Sequence, residues 1–368
     1  MTLAWLLFVA FIVIFVQGRM FDRFGLRRVT YTRSFSERAC YEGEEVLLIE
    51  RIANVKPLPL PWLRLESLMS ASLRFPRQDN FDVHSGTLMQ NQKSFFSLMP
   101  YSSVTRKHRI RATKRGCYDL STMSLTCGDI FGMSKTTKTL RLDARLLVYP
   151  RLVPIGDIPL PSHSWQGDVT VRRWILDDPF IIQGAREYRY GDPLNAVNWK
   201  ATARSGRLQV HQRDFTSDHR LMIYLNFELS EQMWSQVSDP ELVEQGLRFA
   251  ASLAADAIRR GIPTGFGCNS GTIDAPKEMV RVEPGSGASH TELLLDTMAK
   301  VVVDRTMAIT TFLDEDLARG AERLDIVLIT AYVSEEIQER IDRLEQTNNA
   351  VRIVPLVRSS EEEVRLDA

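Results

Sequence analysis

The residues whose types are best suited to catalysis or binding lie in one stretch, residues 184–208. Its sequence is GAREYRYGDPLNAVNWKATARSGRL. Two carboxylates in it, Glu187 and Asp192, could act as acid and base in a cleft at the membrane. The same stretch holds Arg, Tyr and Trp side chains, the types that dominate protein interfaces. Its residue types therefore permit either an acid–base enzyme or a docking surface.

The local pattern predicts that a strand, a turn, a short helix and a second strand position these side chains. Asp192 followed by Pro193 is typical of a helix start, because the Asp oxygen accepts from free amides and Pro lacks an unneeded one. Gly206 can adopt a left-handed conformation after the last turn, so the helix is predicted to end near Arg204. The residues on both sides alternate in type as extended segments do.

The stretch resembles the signature of the family catalogued as domain of unknown function fifty-eight. The resemblance rests on the pattern Gly184-x-Arg186-x-Tyr188-x-x-Gly191-Asp192, followed by Trp199 and Ala203-Arg204. Asn195 and Asn198 depart from it, since members often carry a basic and an acidic residue there. A looser similarity extends over most of the chain. The resemblance to this family implies a membrane-anchored bacterial protein with a von Willebrand factor A-like domain. Such proteins are often encoded beside a MoxR-type AAA+ ATPase.

Two interpretations of the signature residues stay open. The residues are Arg186, Glu187, Tyr188, Gly191, Asp192, Trp199 and Arg204. In the structural interpretation, Asp192 caps the helix and pairs with Arg186 or Arg204, while Tyr188 and Trp199 fill the space between helix and sheet. In the functional interpretation the same residues bind a partner protein.

The N-terminal segment, residues 1–18, is uncharged and mostly apolar, and it is just long enough to cross a bilayer as a helix. It lacks the basic region and the small-residue cleavage site of a signal peptide, and a buried core helix is the weaker alternative. Arg19, Arg23, Arg27 and Arg28 follow, so the positive-inside rule places the rest of the chain in the cytoplasm. We expect a single-pass protein of the inner (plasma) membrane with the bulk of the chain cytoplasmic.

The distribution of charge and the spacing of the cysteines limit the classes of function that fit this chain. Residues 1–150 carry 22 Lys and Arg against 12 Asp and Glu, whereas residues 151–368 carry 24 against 34. A basic part near the membrane suits an anionic lipid surface, and no nucleic-acid recognition motif accompanies it. The four cysteines, Cys40, Cys117, Cys127 and Cys268, have no metal-ligand spacing, so we expect small buried side chains in a reducing compartment.

The chain after the anchor divides into two predicted domains with a linker between them. Residues 19–150 contain short extended runs at 46–49, 94–98, 108–112, 123–126 and 146–149, separated by glycines and by Pro57, Pro59 and Pro61. This pattern predicts an antiparallel, immunoglobulin-like β-sandwich. Prolines in residues 151–183 mark a linker or crossing segment.

Residues 184–368 combine the signature with alternating strands and helices. Strands are predicted at 221–227, 264–268, 279–282, 324–330 and 351–357, and helices at 241–260, 291–303 and 335–346. Apolar strands alternating with helices predict a parallel, doubly wound sheet. The predicted fold is thus α+β multidomain: a transmembrane helix, a β-sandwich and an α/β von Willebrand factor A-like domain.

The resemblance also implies where a metal site would lie, because von Willebrand factor A domains bind metal in an Asp-x-Ser-x-Ser loop after their first strand, which matches residues 226–230 here. Asn226, Glu228 and Ser230 are the possible ligands, and only the last serine of the motif remains. A divalent cation prefers hard oxygens with a well-placed carboxylate, so we expect no cofactor and no metal. A module switched by a divalent metal remains an alternative.

Motifs of nucleotide-binding, hydrolase and zinc-protease sites do not occur in the sequence. We therefore expect a non-enzymatic, membrane-anchored cytosolic scaffold. The resemblance implies a MoxR-type AAA+ ATPase as its partner, in assembly or maturation of a complex. The alternative from another class is the membrane-associated enzyme that would use Asp192 and Glu187.

Overall fold

A computed structural model of the protein describes residues 2–75, 81–85, 89–129, 131–132, 134–160, 182–188, 197–213, 220–232 and 237–358. The chain divides into a first compact unit, Met1–Arg151 with Met298–Lys300, and a second, Leu152–Thr297 with Val301–Ala368. The predicted linker, 151–183, lies mostly outside the described residues.

The first unit begins with helix α1, Thr2–Phe24. Its window Trp5–Phe24 is long and apolar enough to cross a membrane, and only 6% of that window is buried. The helix continues past the predicted apolar run at 1–18 because its last turns pack onto the unit: Phe21 is 2% exposed. Gly25 follows directly, where an added Cβ would lie 2.7 Å from Cys127 Sγ. The end of α1 is therefore fixed against the first unit.

Twelve strands among the described residues complete the first unit. In chain order they are β1 Val29–Phe35, β2 Ala39–Tyr41, β3 Glu45–Asn54, β4 Leu60–Ser70, β5 Leu73–Arg74, β6 Phe81–Ser85, β7 Met89–Leu98, β8 Ser103–Ala112, β9 Gly116–Asp119, β10 Thr122–Gly128, β11 Lys135–Arg141 and β12 Arg145–Tyr149. One antiparallel sheet has the order β1-β3-β8-β5 and another β11-β10-β4-β7-β6, while β2-β12-β9 form a small third sheet. The five runs that the sequence predicted all lie in these strands.

The two larger sheets bury a common apolar core. Tyr31 and Ile52 from the first sheet and Leu65, Phe96 and Leu125 from the second belong to one buried cluster. Side chains alternate between the faces of a strand, so each sheet presents one face to this core. Cys40 and Cys127 are buried as predicted, and so is Cys268 of the second unit, whereas Cys117 is only half-buried.

One proline prediction was wrong. Pro61 was expected between strands, but it lies in β4, Leu60–Ser70. The pairing of β4 with β7 shifts register between Leu60 and Leu63. At such an irregularity a proline removes no ladder hydrogen bond, which is why the strand tolerates it.

A buried ion pair connects the two larger sheets. Arg33 on β1 is directly opposite Glu50 on β3, and Arg33 Nε lies 3.1 Å from Glu50 Oε1. The guanidinium also donates to Ser67 Oγ at 2.9 Å and to Gln92 Oε1 at 2.8 Å, both on the facing sheet. The side chains of Arg33 and Glu50 are 0% and 1% exposed. Both charges are therefore removed from water.

Further donors surround the carboxylate of this pair. The hydroxyl of Tyr31 donates to Glu50 Oε1 at 2.8 Å, and His108 Nε2 lies 3.2 Å from Oε2. Burial alone would raise the pKa of Glu50, but the hydrogen bond with His108 and the charge of Arg33 outweigh it and lower the pKa to about 2. Glu50 is consequently a carboxylate at neutral pH.

The elements after Arg151 form a small hairpin and a larger mixed sheet with helices. They are β13 Ile182–Glu187, α2 Trp199–Ser205, β14 Gln209–Arg213, β15 Arg220–Leu225, α3 Pro240–Arg259, β16 Thr264–Cys268, β17 Val280–Gly285, α4 Ala288–Lys300, α5 Ile309–Ala318, β18 Leu324–Thr330, α6 Glu335–Gln346 and β19 Ala350–Pro355. The larger sheet has the order β17-β16-β15-β18-β19. Four strands are parallel, and β17 pairs antiparallel with β16. The predicted fully parallel sheet is thus corrected to a mixed one.

Helices cover both faces of this sheet. Gly246 on α3 packs close to Leu225 of β15, whereas Tyr224 shares a buried cluster with Phe312 of α5 and Ile341 of α6. Because Tyr224 and Leu225 are consecutive in one strand, they point to opposite faces. The carboxyl ends of β15, β16 and β18 meet at one edge of the sheet, where an α/β fold commonly builds its site.

Candidate functional site

The signature segment forms a hairpin that carries a short helix. β13 pairs antiparallel with β14, and Val197 forms a further bridge with Val210. Helix α2 begins after Asn198, whose side chain accepts a hydrogen bond from Ala201 N at 2.9 Å. It ends at Gly206, which has a φ of 67° and donates its amide to Thr202 O at 2.9 Å. The predicted helix end near Arg204 is confirmed.

The predicted helix start at Asp192 and Pro193 was wrong. Val197 is held in its bridge, and the backbone N–H of Asn198 donates to Gln209 O at 2.8 Å. These bonds hold residues 197–198 extended, so the helix cannot pass through them. Asn198 itself is a favoured N-cap residue, and this was the signal that sequence reasoning missed. Gly191 and Asp192 lie outside the described residues.

The signature side chains that the structure describes lie largely on the surface. Trp199, the first residue of α2, is 69% exposed, and therefore it does not fill the space between helix and sheet. Glu187 forms an ion pair of 3.0 Å with Arg207, and these side chains are 63% and 76% exposed. Arg204 is exposed on the last turn of α2, where a positive charge complements the helix dipole.

The backbone places the other two signature residues on the same hairpin. Arg186 lies on β13 in register with Val210. Tyr188 is half-buried, and its amide donates to Leu208 O at 2.9 Å. Arg186 and Glu187 therefore lie on β13 and Tyr188 directly follows it, while Trp199 begins the helix that the hairpin carries.

A second polar cluster occupies the carboxyl edge of the mixed sheet. Asn226, Asn269 and Thr330 come from the ends of β15, β16 and β18, and all three are at most 1% exposed. Asn226 Nδ2 donates to Thr330 Oγ1 at 3.1 Å, and Asn269 Nδ2 donates to Asn226 Oδ1 at 3.2 Å. Asn226 Oδ1 also accepts from the amide of Glu228 at 2.9 Å. Side-chain amides thus join the three strand ends directly.

The carboxylate of Glu228 is occupied by two donors. Arg305 Nε lies 3.0 Å from Glu228 Oε1, and the Tyr332 hydroxyl donates to Oε2 at 2.9 Å. The Glu228 side chain is only 7% exposed. Burial, together with the hydrogen bond to Glu228, raises the pKa of Tyr332 above its usual range, so the hydroxyl remains a donor.

These residues do not fit a divalent cation. A cation of that kind needs several free oxygen ligands, but Asn226 Oδ1 already accepts two hydrogen bonds and both oxygens of Glu228 are occupied. Arg305 supplies a positive charge where a metal would otherwise balance the carboxylate. Ser230, the third predicted ligand, is exposed. In the part of the chain that the structure describes, no group of three His, Cys, Asp or Glu could hold a metal ion.

Known proteins similar to this chain include one distant relative. The uncharacterized protein YeaD of Bacillus subtilis (strain 168) is 18% identical over 335 residues, which cover 91% of this chain and 78% of YeaD. Solved structures similar to this chain include a non-cellulosomal cohesin from Archaeoglobus fulgidus. It is 14% identical, the match covers 32% of this chain and 91% of that chain, and the TM-score is 0.24. A cohesin module from a Clostridium perfringens family 33 glycoside hydrolase has 9% identity, 32% and 97% coverage and a TM-score of 0.21.

A family assignment follows from the segment whose geometry is described above. The family described as Protein of unknown function DUF58 matches residues 184–363, which include all of the hairpin except the first two residues of β13, helix α2 and the whole mixed sheet. The resemblance noted in the signature is thereby confirmed for residues 184–363, which match the DUF58 family.

Proposed function

We propose that the chain is a membrane-anchored, non-enzymatic scaffold whose second unit binds a partner protein through the surface around Trp199. The observation that carries this proposal is the exposure of Trp199, 69%, within the segment that matches the family. A large exposed aromatic side chain gains free energy when a partner covers it, and Trp is the residue type most enriched among interface hot spots. Leu208, also in this hairpin, is 46% exposed and adds apolar area.

The partner in this proposal is a MoxR-type AAA+ ATPase, in assembly or maturation of a complex. The family resemblance supplies this partner, and the charge of the chain is consistent with a protein surface as ligand, since residues 151–368 have ten more acidic than basic residues. The first unit is proposed to be an immunoglobulin-like sandwich and the second a von Willebrand factor A-like domain. The proposed location is the inner membrane, crossed once by α1, with both units in the cytoplasm.

Two features of the second unit favour binding over catalysis or metal switching. Glu187, the base in the enzyme alternative, is 63% exposed and paired with Arg207, so it is solvated and lies outside any apolar cleft. At the carboxyl edge, Arg305 balances the charge of Glu228. An edge neutralised from within the chain supports a partner surface that needs no divalent cation.

The test compares two truncations of exposed apolar side chains in the full chain, purified in detergent. Trp199→Ala alters the proposed surface, and Leu293→Ala removes a side chain that is 50% exposed on α4. Binding to the purified MoxR-type ATPase of the same genome is measured in the presence of a non-hydrolysable ATP analogue. Because a hot-spot truncation costs at least about 2 kcal/mol, Trp199→Ala should raise Kd by about 30-fold.

The outcomes separate the parts of the proposal. Leu293→Ala should bind as the unchanged protein does, and circular dichroism should show both variants folded. Equal binding by Trp199→Ala and the unchanged protein would refute the Trp199 surface. If the unchanged protein fails to bind the ATPase at all, the proposed partner is wrong.

A further inference from the structure

One end of the first unit gathers four loops around the exit of helix α1. We call them the proximal loops: residues 24–28, 55–59, 99–102 and 129–134, of which 130 and 133 are not described. Strand pairing places them together. Val29 is in register with Asn54 and Ala53 with Ser103 in one sheet, and Leu60 with Leu98 and Gly128 with Lys135 in the other. All four loops therefore leave the same end of the two sheets.

Hydrogen bonds hold the proximal loops to the end of α1. Lys56 Nζ donates to Gly25 O and, at 3.1 Å, to Arg27 O. Its own carbonyl accepts from the amide of Tyr101 at 3.3 Å. On the other side, Asp22 of α1 accepts from Ser134 Oγ, directly before β11. The loops and the last turn of the helix form one connected structure.

This end exposes large apolar side chains on every loop. Phe24 is 40% exposed, Val55 51%, Met99 71%, Tyr101 70% and Phe131 59%. At the opposite end, the described loop residues 36–38, 42–44, 71–72, 113–115 and 142–143 contribute none of the exposed large apolar side chains. Between the described loops of the two ends, the exposed large apolar side chains therefore lie on the side where the anchor leaves; Leu68, Met89 and Phe95 are exposed on the strands themselves.

The backbone of Tyr101 adds to this asymmetry. Its φ of 51° lies in the left-handed region, which bulky residues rarely adopt. This backbone conformation costs free energy. Exposure of the aromatic ring to water is unfavourable as well. A bound surface that takes up the ring would offset this cost.

The length of the apolar helix fixes the level of the membrane surface. At 1.5 Å per residue the 20-residue window Trp5–Phe24 is about 30 Å long, the thickness of a hydrocarbon core. A bilayer that surrounds this window has its surface near Phe24. Six residues earlier, about 9 Å to the membrane side of that level, an added Cβ on Gly18 would lie 3.9 Å from Cβ of Ser134, so the loop that carries Phe131 lies beside the last turns of the helix.

We infer that the proximal loops insert the side chains of Val55, Met99, Tyr101 and Phe131 into the interface of the bilayer that α1 crosses. Aromatic and apolar side chains are favourable at the boundary between headgroups and acyl chains. Arg19, Arg23, Arg27 and Arg28 are exposed at the same end and complement anionic headgroups, as their positions in the chain predict. The first unit then lies on the bilayer surface, with no free linker after the anchor. This inference rests on the proposed crossing by α1.

The test introduces the photoreactive residue p-benzoylphenylalanine at single positions of the full chain in vesicles of phosphatidylethanolamine and phosphatidylglycerol. Phe131 reports on the proximal loops, and Phe11, 67% exposed on α1, reports on the anchor. Leu68, 64% exposed on β4, is the matched control. It lies eight residues from the proximal end of its strand, which at 3.3 Å per residue is about 26 Å away.

After irradiation, lipid adducts are counted by mass spectrometry. We expect strong labelling at Phe11 and at least about tenfold more adduct at Phe131 than at Leu68, because reaction requires contact with acyl chains. Labelling at Phe11 with Phe131 no higher than Leu68 would overturn the inference and leave the anchor intact. An absence of lipid adducts at Phe11 would overturn the anchor and the inference together. Links between two copies of the chain at Phe131, in place of lipid adducts, would overturn the inference too.

Discussion

Replacing Glu50 by Gln should destabilise the first unit much more than any surface change on the same strand. The substitution keeps the size of the side chain and an acceptor for Tyr31, but it removes the charge that balances Arg33. Both side chains of the pair are at most 1% exposed. Removing one partner of a buried pair typically costs about 3–5 kcal/mol, because the other charge stays buried.

The pKa of Glu50 gives a second measure of this free energy. The difference between 4.5 and about 2, at about 1.36 kcal/mol per unit, amounts to roughly 3 kcal/mol. Since the pKa is lower in the folded state, the ionised carboxylate stabilises the fold above pH 4.5. That contribution is lost as the pH falls from 4.5 to about 2. Glu50→Gln should abolish this part of the acid dependence.

Hydrogen exchange of the full chain in detergent, followed by mass spectrometry, measures the effect locally. Peptides from β1 and β3 should lose roughly 100-fold in protection in Glu50→Gln, which corresponds to about 3 kcal/mol. Glu45→Gln, the same change at an exposed position of β3, should have no effect. Equal protection in the two variants would refute the reasoning.

A double-mutant cycle tests the pairing itself. Arg33→Met alone leaves Glu50 without its balancing charge, whereas Arg33→Met with Glu50→Gln removes both charges and keeps an acceptor for Tyr31. The double variant should therefore be more stable than the sum of the single effects predicts, by about 2 kcal/mol. Strict additivity would show that the two charges do not depend on each other.

Three further substitutions test other contacts. Gly128→Ala places a Cβ 2.6 Å from the carbonyl of Ser134, so it should cost about 1–3 kcal/mol in thermal unfolding of the first unit. Arg305→Met removes the ion pair of the buried Glu228 carboxylate and should cost about 2–3 kcal/mol, with much of the loss recovered when Glu228→Gln is added, as urea titration would measure. Asp239→Ala removes the N-cap of α3, because Asp239 Oδ1 accepts a hydrogen bond from a backbone amide of the helix at 3.3 Å. Hydrogen exchange at the start of α3 should report a loss of about 1 kcal/mol in local stability.

The sequence predicted best those elements whose residue pattern is compatible with only one kind of secondary structure. Strand β18 and helix α6 have the predicted bounds, because a continuous apolar run and a strongly amphipathic charged segment each have a single compatible structure. Helix α3 begins one residue before its predicted start, at a Pro that follows the Asp239 cap. Helix α5, Ile309–Ala318, was not predicted, since it lacks a side-chain cap.

The buried ion pair shows a signal that composition conceals. In β3, Glu50 is in phase with Val46, Leu48 and Ile52, all of which point into the core. Strict period-two reasoning would have placed this carboxylate inside. A charged residue is usually assumed to be exposed, and for this reason the burial of Glu50 was not predicted. Its partner on β1 can be identified only from the strand register. The position of Trp199 is a similar case: its exposure depends on the bridge of Val197 with Val210, which no local pattern specifies.

The two edge strands of the mixed sheet have a consequence for behaviour at high surface density. Among the described strands, β17 and β19 form the edges, and they contain Pro284 and Pro355. A proline offers no amide to an incoming strand. Many copies crowded together can therefore collide repeatedly without joining edge to edge into fibrous aggregates.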